Sequence, residues 1–489
     1  MSTAPLSRAE SIQRPAVSGD HAPARAQPVP SATPASADTA TSASAVSSSR
    51  TTASASAALA LPVAPSLHLP RVSVVTTKVV NMLGHDVAVQ LLPQTERLSR
   101  TRPDVRGAQP ARAAAGLKAW VDGLCHMVFA IGLRSMSGAH AVFIEIPEEL
   151  LLTPLVEALD PRWSIVQLPA QLTLTPPVRE RLKELRARGM VLSVSCQASN
   201  AVRQQAIASE VQWAHLDMGG HERPELMGLW PELSGHQVHL RGVQRLDEFR
   251  ECRALGAHAY SGPLLSAPVT WSVEQLPACN VDVLQRLRER LQQGAGDAEL
   301  ADLIQTDPAL LLRLLILACD GISGPVCRPD STLALIAHLR GPVLPVWIEL
   351  LVTEALENGS GLRPDWAEAA AHLSLFMRLL IERLAPDRRD LQGQAALLGL
   401  VAHFRHTLPA RMVGHLATPL AAPVIEDAWM HRQCLLGAVL DIGLRLMFHG
   451  QPMAPANGIV ELFDEAGRLV RERRSPAVDA DVVAAGQPG

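Results

Sequence analysis

The sequence predicts an α/β barrel of the TIM type followed by an all-helical domain. Three observations predict it. Strand and helix signals alternate from residue 72 to residue 260, which argues a parallel sheet, and eight strands argue its closure into a barrel. Beyond residue 281 every periodic segment is helical. Within that second half, Pro308 to Cys319 is apolar almost all round, a pattern that belongs in the middle of a large core.

Length and composition fit this division. The 489 residues allow two or three domains, each large enough for a core. Net charge is -4 with both signs mixed, so there is no basic footprint for nucleic acid. No apolar run reaches the roughly 18 residues of a bilayer span, and the start lacks a signal core. A cytoplasmic protein without membrane contact is expected. Seven cysteines, odd in number and scattered, predict free thiols in a reducing compartment. Aromatics make up only 3%, so the cores rest on Leu, Val, Ile and Ala. Residues 1–70 are rich in Ala, Ser, Thr and Pro, with too few large apolar side chains to offset their ordering entropy. They are expected to be disordered, as is the tail from 476 to 489.

In the first half, Val72–Thr77 and Val87–Leu92 are β-branched strands joined by a turn at Asn81–Asp86, hence a hairpin. A barrel that opens on a hairpin departs from all-parallel order. Residues 111–133 form a helix with Leu117, Trp120, Val121, Leu124 and Val128 on one face. Strands then follow at Ala141–Ile146, Ser164–Leu168, Val191–Ser195, Val211–Leu216, Gln237–Leu240 and Ala257–Tyr260. The intervening helices are Glu148–Leu159, Pro177–Arg188 closed by Gly189, Asn200–Ser209, a weak helix to Trp230, and Leu246–Leu255 closed by Gly256.

The barrel is placed at 71–268, a Pro-bearing linker at 269–280 and the helical domain at 281–475. Val281, Leu284, Leu287 and Leu291 share one helix face. Asp297 is the expected cap of Ala298–Ile304. Asp307 caps the apolar helix by accepting first-turn N–H groups, with Pro308 at the first helical position, where its missing N–H costs nothing. Asp330-Ser331 caps Thr332–Leu339. Helices are predicted at Val343–Glu357, Pro364–Leu384, Gln392–Phe404 and Glu426–Phe448.

Two families are resembled. Asp307-Pro308-Ala309-Leu310 with Leu311 and Leu314, then Ala334–Leu339, Gly341 and Trp347, resembles the HDOD domain, an all-helical relative of HD hydrolases found in bacterial signalling proteins. Here Cys319-Asp320 replaces that family's Asn-Ser, and Leu339-Arg340-Gly341 its Leu-Gly. Phe143–Leu151, and Phe249 through Ala257-His258-Ala259-Tyr260-Ser261-Gly262-Pro263 to Pro268, resemble the EAL domain, the barrel that hydrolyses cyclic di-GMP. The two resemblances cover about 400 of the 489 residues and together imply a two-domain bacterial signalling protein.

The EAL resemblance implies a set of carboxylates that hold divalent cations, which activate water against a phosphodiester. Carried over position by position, that set is lost. The signature Glu falls on Gln90, the third-strand Asn on Glu145 and the fourth-strand Glu on Gln167. The paired Asp residues fall on Ser195 and Cys196. The sixth-strand Lys falls on His215, though the Asp two positions later survives as Asp217. The seventh-strand Glu falls on Arg241 and the final Gln on Ser261. Arg241 adds positive charge where cations would sit, a repulsion of several kcal/mol at a few ångströms.

His215, Asp217, His239 and Glu145 are expected at strand ends of the same barrel. Placed three apart on a strand, His236 and His239 face opposite sides, which argues against a rebuilt metal centre. Cys196 has no base beside it in sequence and reads as an inert thiol. In the helical half no His precedes an Asp, so the ligand pair of HD hydrolases is missing; His403 and His406 lie one turn apart and read as a solvated or core-edge pair on one face.

These absences predict a non-enzymatic signal-transduction or scaffold protein, without catalytic residues, metal or cofactor. It would act on an unidentified protein partner through its HDOD-like half, where Asp307, Pro308, Leu311, Leu314, Gly341 and Trp347 are structural. Two alternatives stand beside this: a divergent metal-dependent cyclic-dinucleotide phosphodiesterase, and an inactive receptor for cyclic di-GMP. The receptor is disfavoured because the family's nucleotide contacts overlap the lost ligands.

Overall fold

The computed structural model describes residues 71–92, 117, 120–169, 172–196, 210–218, 230–233, 235–322, 324–358, 364–408, 419–449 and 457–474. All of them belong to one compact unit, Ala60–Gly489. The expectations for residues 1–70, for 476–489 and for the helix at 200–209 lie outside the described residues.

Strands β1 (Arg71–Val80) and β2 (Asp86–Leu92) form the expected antiparallel hairpin. Its turn is closed by Asn81, whose Oδ1 accepts the backbone N–H groups of Leu83 at 2.9 Å and His85 at 3.0 Å. Strands β3 (Ala141–Glu145), β4 (Ser164–Leu168), β5 (Val191–Cys196), β6 (Trp213–Asp217), β7 (Gln237–Arg241) and β8 (Ala259–Tyr260) follow in parallel order from β2. β1 pairs antiparallel with both β2 and β8, so the eight strands close into a barrel with one reversed member.

Successive strand residues point to opposite faces. Val142, Ile144, Val166, Leu192, Val194 and Leu216 belong to the large apolar core outside the barrel wall. Phe143, Ile165, Ala259, Val79 and Ala88 form a small separate plug inside it.

Three barrel expectations need correction. Helix α1 (Trp120–Ile131) ends in a π-helical turn, His126–Ile131, and Gly132 at φ 86° stops it before α2 (Leu133–Ser137). The single helix expected at 148–159 is α3 (Glu148–Leu151) followed by a 3-10 turn, Pro154–Ala158. Pro154 has no N–H to continue the first helix, and Thr153 caps the second piece by accepting from Leu155. The weak helix expected up to Trp230 lies outside the described residues, and Trp230–Leu233 is a 3-10 turn. The supposed linker holds a ninth strand, β9 (Val269–Glu274), antiparallel to β1 from Arg71 opposite Glu274 to Thr76 opposite Val269. Trp271 Nε1 donates to Thr76 Oγ1 at 2.9 Å across that pair. Helices α4 (Pro176–Ala187) and α5 (Leu246–Leu255) lie where expected, and Gly189 and Gly256 follow them at φ 84° and 82°.

The second half is helical throughout: α6 (Val281–Gln292), α7 (Asp297–Gln305), α8 (Pro308–Asp320), α9 (Thr332–Leu339), α10 (Val343–Asn358), α11 (Pro364–Leu384), α12 (Arg389–Thr407), α13 (Pro423–His431), α14 (Leu435–His449) and α15 (Asn457–Arg474). Every residue of α8 from Pro308 to Ala318 is buried, and each enclosed Leu is worth about 1.5–3 kcal/mol. Asp307 caps it as predicted, accepting from Ala309 at 3.0 Å and Leu310 at 3.3 Å, and its second oxygen takes the Asn280 N–H at 2.7 Å. Ser331 caps α9 through the Ala334 N–H.

Asp297 is not a cap. Gly296 holds that position, and the Asp297 carboxylate pairs with Arg340. The helix expected at 426–448 is two, α13 and α14, broken at Arg432, which turns through φ 52°. Helix α15 was not anticipated.

The halves meet along α1. Arg313, in the middle of α8, is 1% exposed. Its guanidinium donates to Glu354 Oε1 at 3.3 Å and to the Pro277 carbonyl, and lies 5.7 Å over the ring of Phe129. Phe129 in turn meets Trp347 edge-on at 5.4 Å. Trp163 Nε1, from the barrel, donates to the Ile322 carbonyl at 3.1 Å. Among the described residues no single helix is long and apolar enough to cross a membrane. None of the seven cysteines is disulfide-bonded.

Candidate functional site at the barrel mouth

Sites in β/α barrels form at the carboxyl ends of the strands. The strand alternation that points Phe143 inward also points Glu145, Gln167, Ser195, Asp217, Arg241 and Ser261 inward, one step nearer the mouth. Register puts Glu145 beside Gln167, Ser195 beside His215, and Asp217 beside Arg241. Gln90 is buried on β2, opposite Thr77 of β1 and beside Phe143 of β3. Cys196 is the exception among the expected positions. Next after Ser195, it points outward and packs in the apolar core outside the wall, as an inert thiol does.

The mouth is knitted by side-chain hydrogen bonds. Gln167 Nε2 donates to Glu145 Oε2 at 3.1 Å and to Ser195 Oγ at 3.0 Å. Arg241 Nη2 reaches across from β7 to Ser195 Oγ at 2.9 Å. A guanidinium thus stands inside the ring of the mouth.

Below this ring, His215 Nδ1 and His239 Nδ1 face each other at 2.9 Å, and His239 Nε2 meets Ser261 Oγ at 3.0 Å. Phe143 stacks on His239 with centroids 5.5 Å apart and meets His215 edge-on at 4.9 Å. Both imidazoles are fully enclosed. Burial holds His215 well below the ordinary imidazole range, helped by His239 and Arg241; burial, then Arg241, does the same to His239. Both are neutral at pH 7.

Ser261, His239 and His215 have the connectivity of a nucleophile, base and orienting group. The electrostatics oppose that use. A general base must become imidazolium in the transition state, and burial beside Arg241 penalises that cation. The orienting group is a neutral imidazole, where a carboxylate would stabilise the charge.

The residues do not fit a divalent-metal centre either. Among the described residues no three His, Cys, Asp or Glu side chains come together as a metal-binding group. Of the four strand-end candidates, His215 and His239 meet, whereas Glu145 and Asp217 lie in the layer above. His236 sits in the turn before β7. The link between His215 and His239 was missed from sequence because it depends on strand register. The matching spacings, His215 to Asp217 and His239 to Arg241, were the available hint.

In the helical half, His403 is buried with both ring nitrogens unpartnered among the described residues, packed against Trp366 at 5.4 Å. Burial, then His406, pushes its pKa down to about 3. His406 packs instead on Trp429 and Phe448. The HDOD-like positions Asp307, Pro308, Leu311, Leu314 and Trp347 are all buried, and Gly341 turns the chain at φ 124°.

No protein-family model matches the chain, and no curated protein matches it. Solved structures do. An EAL domain protein from Listeria monocytogenes EGD-e matches at 11% identity and TM-score 0.30, over 40% of this chain and 87% of that one. Klebsiella pneumoniae BlrP1 in its pH 6 manganese/cy-diGMP complex matches at 17% identity and TM-score 0.33, over 44% of this chain and 62% of that one. The EAL domain of Mycobacterium smegmatis DcpA matches at 14% and 0.28, over 40% and 93%. Likeness at this level carries nothing about chemistry, and the site is judged by its own residues.

Proposed function

We propose that this chain is a non-enzymatic signal-transduction or scaffold protein, built from an inactive EAL-like barrel and an HDOD-like helical half that engages a protein partner. The single observation behind it is the placement of Arg241, bonded to Ser195 inside the barrel mouth. A guanidinium there repels the divalent cations that cyclic-dinucleotide hydrolysis of the EAL type requires, by several kcal/mol at contact range. Gln167 and Ser195 offer neutral oxygens and an amide where hard anionic donors are needed. The Asp307 cap and the buried Leu-rich helix behind it are structural features, which fits a helical half that binds rather than cleaves.

The test uses the full chain. Metal analysis after purification, and turnover of cyclic dinucleotides with manganese or magnesium added, are both expected to be blank. Metal-dependent turnover that scales with enzyme and survives repurification overturns the proposal. Calorimetry with cyclic di-GMP, expected to give no saturable heat, separates the scaffold from an inactive nucleotide receptor.

A further inference from the structure

A second polar concavity lies far from the barrel axis in sequence. A narrow cleft of about 30 Å³ opens where α7, the Thr306 turn, α11 and α12 converge. Its lining includes Ser374 and Ala396, side chains too small to fill it, and Ser374 Oγ donates to the Ala396 carbonyl at 2.8 Å. Gln305 and Asp302 line it from α7, and Arg378 lines it from α11.

Arg378 is anomalous. The other well-shielded arginines are paired: Arg313 with Glu354, Arg181 with Glu157, Arg405 with Glu426. The Arg378 guanidinium has no ion pair or hydrogen bond among the described residues, and its Nε is closed off from solvent without a partner. A buried donor left unmade costs about 1–3 kcal/mol, more when charged. An anion entering the cleft meets the guanidinium through its remaining N–H groups, in a charge-assisted bond.

The cleft also selects which anion. Asp302 sets a negative charge against Arg378, so a dianion meets repulsion that a monoanion largely escapes. Gln305 offers an amide donor to a carboxylate, and Asp302 accepts from an N–H group carried beside it. We propose that this cleft binds a single carboxylate flanked by an amide N–H, held by Arg378. That chemistry is shared by a free acylated acidic amino acid and by an acidic side chain of a partner protein. The site stands whether or not the barrel is inactive.

Calorimetry on the full chain tests it with N-acetyl-glutamate amide, its neutral glutamine counterpart, inorganic phosphate, and a short peptide centred on one glutamate. The acid is expected to bind saturably, and the neutral and phosphate probes at least about tenfold more weakly, a difference of about 1.4 kcal/mol. Arg378→Met is expected to lose at least about tenfold in affinity, and Arg378→Lys to keep most of it. Since Arg378 forms no ion pair, the Met variant is expected to melt like the parent, which separates lost binding from lost folding. Equal affinity for free acid and peptide assigns a small-molecule ligand; a peptide bound at least about tenfold tighter assigns a partner side chain. No saturable binding of the acid at about 10 mM, equal binding of acid and neutral probes, or undiminished binding by the Met variant overturns the proposal.

Discussion

Glu354→Gln is the sharpest test of the charged pair buried in the helical half beneath Phe129. Arg313 and Glu354 are 2% and 3% exposed in their side chains, with nitrogen and oxygen 3.3 Å apart. At an effective dielectric of about 20, that separation corresponds to about 5 kcal/mol of attraction. The Gln variant removes the anion and keeps the shape, so Arg313 stays charged and enclosed. The Pro277 carbonyl, the face of Phe129 and a neutral amide oxygen then remain to it. Breaking a buried pair from one side costs about 3–5 kcal/mol. Urea unfolding of the full chain, followed by far-ultraviolet circular dichroism, is expected to show that loss. The double variant Arg313→Met/Glu354→Leu is expected to recover most of it, because replacing both charges removes the desolvation penalty as well as the attraction. A Glu354→Gln cost below about 1 kcal/mol would refute the view that this pair is a low-dielectric lock.

Three further outcomes are expected. His403, His215 and His239 are neutral in the fold, with folded pKa values below the ~6.5 of an unfolded chain. Their contribution is therefore full above pH ~6.5 and is lost as pH falls toward the folded values. Between pH 7 and about 4.5, His403 alone accounts for about 2.5 kcal/mol; urea midpoints across that window measure it, and His403→Leu flattens the slope. Gly262→Ala places a Cβ 2.2 Å from the Val243 nitrogen and 2.4 Å from its oxygen, at φ 148°. Backbone cannot yield there as a side chain would, so a loss above about 2 kcal/mol is expected in thermal or urea unfolding. Asp307→Ala removes the cap of α8 and the tie to Asn280; a loss of about 2 kcal/mol or more in the same assay is expected, since a single cap is worth about 1 kcal/mol.

Much of this architecture is written locally. Asp307-Pro308 and Ser331 announce their helices because a cap is chemistry between neighbours in sequence. Gly189 and Gly256 end theirs for the same reason. Most of the ring at the mouth was legible from the resemblance, but Cys196 was grouped with Ser195 there although strand alternation turns neighbours to opposite faces. What stayed hidden depends on distant partners. Prolines 268 and 277 disguised β9, whose Val-Thr-Trp-Ser-Val alternation has meaning only beside β1. Apolar periodicity does not distinguish an α turn from the π turn at His126–Ile131. The apposition of His215 and His239 depends on register between strands, and the isolation of Arg378 is a fact about what failed to come near it.

The π turn has a consequence for how this chain tolerates change in length. It holds one residue more than an α turn of the same span. Deleting a single codon there would tighten it to an α turn of the same span, so Val121 and Leu124 would keep their faces relative to the chain beyond Gly132. A one-residue deletion inside a regular α turn, such as one in α8, instead swivels everything on one side of it by about 100°. A deletion between 126 and 131 is therefore expected to cost less in thermal unfolding than a deletion inside α8.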